Sequence, residues 1–63
     1  MTELEKLYQS IADTLEQGMT DVEKFEAGNM SAGTRVRKNM QTIKDLAQKI
    51  RVTVQEQKNA VVA

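Results

Sequence analysis

A chain of 63 residues with no cysteine, histidine, tryptophan or proline has no disulfide, no thiolate or imidazole metal site, and no His- or Cys-based nucleophile. So short a chain buries only about 60% of its unfolded surface, so without a staple it is expected to gain stability by self-association. Nine basic and nine acidic side chains cancel, but residues 1–28 hold two of the basic and seven of the acidic, and residues 29–63 the reverse. Charge separated in this way keeps a polyanionic partner in view despite the zero net charge.

The opening Met1-Thr2-Glu3-Leu4-Glu5 has neither a basic start nor an apolar stretch, so no leader or membrane span is expected and a cytoplasmic location follows. Thr2 and Glu5 have capping-box spacing, which predicts that a first helix begins at residue 3. Apolar residues then recur at Leu4, Tyr8, Ile11, Leu15, Val22 and Phe25, with Gly18 completing the heptad rhythm. The helix is expected to run to about residue 27. Gly28 suits the left-handed conformation that ends a helix, and Asn29 or Ser31 can cap the next one. A second helix over about 30–59 carries the matching series Val36, Met40, Ile43, Ala47, Ile50, Val54, followed by a frayed apolar tail.

The expected fold is therefore all-α: a single domain formed by an antiparallel, coiled-coil-like two-helix hairpin. Folding back at Asn29 predicts the layers Phe25–Gly33, Val22–Val36, Gly18–Met40, Leu15–Ile43, Ile11–Ala47, Tyr8–Ile50 and Leu4–Val54. Large faces small in three of these, which gives Gly18 and Gly33 a packing role. Leu7 and Leu46 fall just outside this seam on one edge, with Met19 and Ala12 on the other. These residues predict a homodimer that forms a four-helix bundle, with Leu7, Met19 and Leu46 at its interface.

Catalytic parts are missing. No glutamate lies on the seam to bridge a metal, so no enzyme activity, cofactor, metal or small-molecule substrate is expected. Residues 28–33 match the opening of a phosphate-binding loop, but Thr34-Arg35 follow where Lys-Ser/Thr is required and no strand precedes them. Tyr8 and Phe25, the only aromatics, belong to the expected seam and offer single-stranded bases no stacking platform.

Two features point to phosphate. Arg37, Lys44, Arg51 and Lys58 are seven residues apart and form one basic line about 31 Å long on a helix. Beside the turn, Ser31, Thr34, Arg35, Arg37 and Lys38 surround a helix N-terminus, where an anion is favoured. Internal pairing competes with this reading, since Glu26 can reach Arg37, and Glu5 can reach Arg51 or Lys58. Exposed pairs of this kind contribute only about 0–1 kcal/mol. The residues leave two readings open, a solvated or salt-bridging face and a polyanion site, and a double-stranded DNA partner would be contacted through its backbone with little sequence preference. A coiled-coil module that binds another protein is the rival reading.

Gly28, Asn29, Ala32, Arg35, Val36 and Arg37 form a Gly-Asn-x-x-Ala-x-x-Arg-Val-Arg motif across the turn. In this the chain resembles the bacterial linker-histone-like family typified by the chlamydial nucleoid protein, and the helical layout extends the likeness over most of the chain. The resemblance implies DNA contact through residues such as Arg35 and Arg37, a nucleoid location and a role in chromosome compaction. The Lys-rich C-terminal extension of chlamydial-type members is not found before Ala63, so the chain is expected to be a short member of the family.

Overall fold

The computed structural model describes residues 1–62, with side chains through Ala60. Helix α1 spans Glu3–Glu26 and helix α2 spans Met30–Val62. They pack against each other as a hairpin measuring 54 × 19 × 10 Å. At the start of α1 the Thr2 hydroxyl accepts the Glu5 amide at 3.1 Å, and the Glu5 carboxylate accepts the Thr2 amide at 2.8 Å. Both bonds satisfy first-turn donors that the helix itself leaves without partners.

The turn is short because two adjacent residues do all the capping. Gly28 has φ 106°, the Gly28 amide bonds the Phe25 carbonyl, and the Asn29 amide bonds the Lys24 carbonyl, both at 3.0 Å. This is the Schellman pattern, for which a residue without Cβ is best suited. Asn29 then starts α2, its side-chain oxygen accepting the Ala32 amide at 3.3 Å. Of the two expected caps, Asn29 fills the position. At the other end α2 continues to Val62, past the expected stop near Asn59. Every residue from Val54 to Ala60 is exposed, so the end of α2 extends beyond the reach of α1.

The seam is rotated from the expected one. Residues turned inward are Leu4, Leu7, Ile11, Thr14, Gly18 and Asp21 on α1, and Ala32, Val36, Asn39, Ile43, Leu46, Ile50 and Thr53 on α2, with Val22, Gly33 and Ala47 of the expected seam also part-buried at its edge. Tyr8, Leu15, Met40 and Val54, assigned to the core by periodicity, are 65%, 52%, 47% and 39% exposed. Phe25 does lie over Gly33, where an added Cβ would come 2.8 Å from its ring. Gly18 does not face Met40. It faces Asn39, whose side-chain oxygen would lie 2.5 Å from a Cβ placed there.

The Asn39 amide donates to the Thr14 carbonyl at 2.7 Å, and its buried oxygen has no partner. Gly18 therefore makes room for a polar side chain that ties the two helices together. Among the described residues, Ala32, fully buried, and Ile50, 9% exposed, are the buried apolar side chains. Leu7 and Leu46, placed on an exposed dimer edge by the sequence pattern, are half-buried on the seam.

In an antiparallel pair, like heptad positions meet on each flank. One flank brings Glu3, Ser10, Gln17 and Lys24 of α1 together with Arg35, Thr42, Lys49 and Glu56 of α2. The other brings Tyr8, Leu15 and Val22 together with Gly33, Met40, Ala47 and Val54. The hairpin thus has a polar flank and an apolar flank. The line of Arg37, Lys44, Arg51 and Lys58 borders the apolar one.

Candidate nucleic-acid interface

Whether these cations can serve an external anion depends on which of them the hairpin already uses. Arg35 is engaged, its Nε donating to Asp21 Oδ1 at 2.8 Å. This is the only ion pair among the described residues. The expected pairing of Glu26 with Arg37 does not form, and neither does that of Glu5 with Arg51 or Lys58. Glu5 is held by the capping box, and the Thr2 amide, followed by the Thr2 hydroxyl, keeps its carboxyl below the usual range.

Arg37, Lys44, Arg51 and Lys58 are all exposed and, among the described residues, have no carboxylate partner. Asp45 is the acid closest to them in sequence, and it accepts the Gln41 amide at 3.1 Å. Lys44, Ala47, Gln48 and Arg51, with Asp45, line a shallow groove on the outer side of α2. Gln48 falls between two cations of the line and presents a neutral amide there, which charge patterning alone did not reveal. Residues seven apart are about 10.5 Å apart along a helix, close to the rise of three base pairs along a duplex axis at about 3.4 Å each. Four such cations make a charged ridge suited to following a backbone.

The cluster beside the turn is split. Arg37 joins the ridge, whereas Arg35 faces Asp21 on the polar flank. Lys38, exposed, is one residue past Arg37 and thus about 100° around the helix from it. Ser31 and Thr34 are exposed, and Thr34 joins Phe25, Met30, Gly33, Val36 and Arg37 around a second shallow groove. Because Asn29 already caps the Ala32 amide, the α2 terminus is less open to an anion than its sequence implies. Lys49, on the polar flank, is a further exposed cation that the seven-residue line passes over.

A family model described as histone H1-like protein Hc1 matches residues 5–60, from the first turn of α1 almost to the end of α2. The chain belongs to this histone H1-like family. Its matched region covers both helices, the turn and the whole basic ridge, so family membership rests on the hairpin itself. No curated protein and no solved structure gives a significant match. Among the described residues, no helix is long and apolar enough to cross a membrane.

Proposed function

We propose that this chain is a non-enzymatic, histone-like DNA-binding protein of the nucleoid that contacts the phosphate backbone with little sequence preference. Membership of the histone H1-like family supports a DNA-binding nucleoid protein in general. The ridge of Arg37, Lys44, Arg51 and Lys58, exposed and unpaired among the described residues, is the observation that carries the specific reading. Lys38 and Lys49 lie outside the ridge and add non-directional attraction. Arg35, Ser31 and Thr34 are secondary contacts, Arg35 because it must leave Asp21 to reach a phosphate. The protein acts as a homodimer, since a hairpin with so small a core leaves much apolar surface in water.

Titrating duplex DNA against salt tests this. Affinity is expected to fall steeply as salt rises, with a log–log slope of about 0.9 per neutralised phosphate. Replacing Arg37, Lys44 and Arg51 with Ala should lower that slope by roughly 2–3. Unrelated sequences should bind alike. No binding at about 50 mM salt, where phosphate contacts are strongest, would leave the protein-partner reading, whose support is the exposed apolar flank.

A further inference from the structure

The basic ridge is not the outermost line of α2. Residues are about 100° apart around a helix, so Gln48 lies about 160° from both Leu46 and Ile50, which face the seam. A spacing of seven repeats that outer position at Thr34, Gln41 and Gln55, all exposed. The crest of α2 is thus a line of neutral side chains, with Arg37, Lys44, Arg51 and Lys58 on one side of it and Lys38, Asp45, Val52 and Asn59 on the other. The crest of α1 differs: Gln9, Glu16 and Glu23 turn an acidic edge to the opposite side of the hairpin.

Hydrogen-bonding chemistry says what such a crest can meet. Lysine and arginine only donate, which suits phosphate, whereas a glutamine amide both donates and accepts. The major-groove edge of adenine offers N7 as acceptor and N6–H as donor, and a glutamine amide fits both. Two of the three glutamines are already engaged, Gln41 donating to Asp45 and Gln55 to Asn59, both at 3.1 Å. One turn beyond Gln48 stands Val52, which offers no acceptor, and among the described residues the Gln48 amide has no partner. Gln48 sits with Lys44 and Arg51 in the shallow groove on the outer side of α2. Beside it, Val52 is 43% exposed, an apolar side chain that neither the seam nor the apolar flank uses. The thymine methyl is an apolar group on the same groove edge as the adenine atoms.

Shape decides which edge approaches. The hairpin is 19 Å broad and 10 Å thin, so a major groove about 12 Å wide and about 8.5 Å deep admits it edge first and not flat. Entry by the α1 edge would press Glu16 and Glu23 against phosphates. Entry by the α2 edge brings the basic ridge to one strand instead. Because the helix is straight and the groove winds away from it, the middle of the crest reaches deepest, and Gln48 is there.

Resting on the DNA reading above, we propose that α2 enters the major groove edge first. Gln48 bonds N7 and N6 of an adenine, Val52 packs on a thymine methyl, and the ridge holds the phosphates of one strand. One such contact separates A·T-containing from G·C-only DNA without specifying a sequence. Duplexes of equal composition therefore still bind alike.

Two duplexes of equal length, one rich in A·T and one of G·C only, test this when titrated with the full chain at the same salt. The A·T duplex should bind tighter by on the order of tenfold, as for one bidentate contact. Gln48→Ala should bring the two affinities together and keep the salt slope, since no phosphate contact is lost. Alanine at an exposed helical site keeps the fold. Gln9→Ala, on the crest of α1, should retain the difference. Replacing adenine by 7-deazaadenine removes N7 and should reproduce the Gln48→Ala loss, adding little to it in that variant. Uracil in place of thymine should give a smaller loss that Val52→Ala no longer shows. Equal affinity for the two duplexes, or a preference that survives Gln48→Ala or the loss of N7, would overturn the groove contact and leave the DNA reading standing. No binding to either duplex at about 50 mM salt would remove the DNA reading and this contact with it.

Discussion

The two flanks of this hairpin are built on the same pair of helices, only a few residues apart around each axis, but they meet water differently. On the polar flank Arg35 reaches across to Asp21 at the edge of the seam, and the remaining positions are charged, amide or hydroxyl-bearing side chains that water satisfies. On the apolar flank Tyr8, Leu15 and Met40 stand exposed, with a basic ridge along the border. Hairpin formation alone makes one flank complete and leaves the other wanting cover. The line of Arg37, Lys44, Arg51 and Lys58 borders the flank that hairpin packing leaves uncovered, whereas the exposed Lys24 and Lys49 lie on the other.

Comparing substitutions on the two sides sharpens this contrast. The largest effect is expected from Arg37, Lys44 and Arg51 changed together to Ala, with an affinity loss of about tenfold or more at moderate salt. Changing Lys38 and Lys49 instead should cost less affinity and alter the salt slope less, measured in the same titration. Equal losses per charge removed would mean that charge alone, wherever it lies, drives binding.

Stability tests probe the seam that sets which residue falls on which flank. Ala32 is fully buried, so Ala32→Leu forces the helices apart at the turn and should cost about 1–3 kcal/mol in urea unfolding. Gly18→Ala gains about 1 kcal/mol in helix propensity but pushes against the Asn39 amide and breaks its bond to Thr14. A net loss of about 1 kcal/mol is expected. A stabilised Gly18→Ala would show that Asn39 can turn aside freely and that the seam is not held there.

Smaller effects belong to the exposed pair and the cap. Asp21→Asn removes the partner of Arg35, and since that guanidinium is 47% exposed the loss should be under about 1 kcal/mol and should shrink with salt. DNA affinity should rise slightly as Arg35 is released. Glu5 borders the apolar flank yet serves the cap, and its carboxyl titrates below the ordinary glutamate range. Its contribution is therefore complete above the unfolded-state value and is lost as pH falls from there through the folded-state value. Circular dichroism should show a slight loss of helix over that acidic interval, and Glu5→Gln should weaken its pH dependence.

Much of the fold was legible from local chemistry. The capping box at Thr2 and Glu5, the left-handed Gly28 and the cap at Asn29 are each satisfied within a few residues, so their spacing in the sequence is enough. The placement of Phe25 over Gly33 also followed from matching a large residue to a missing one. The seam did not. The apolar arc of α1 is broad enough to hold two heptad readings, 4-7-11-14-18 and 4-8-11-15-18, and hydrophobicity favours the second. The hairpin adopts the first because Asn39 can bond the Thr14 carbonyl only where Gly18 gives it space, and a polar contact of that kind leaves no periodic signal. Among the cations, the seven-residue line was visible as a line. That Arg35 pairs with Asp21 while Arg37 goes without a partner depends on a rotation of about one residue, which reassigns every flanking side chain.

Sequence by itself determined the two helices, the turn between them, the separation of acid from base and the likeness to a histone H1-like family, because all of these are written in near-neighbour chemistry or in composition. Tertiary structure decided which stripe of α1 is buried, which acid engages which base and which face remains open. Those outcomes turn on the relative rotation of two cylinders, and small steric and polar contacts between residues far apart in the chain set that rotation.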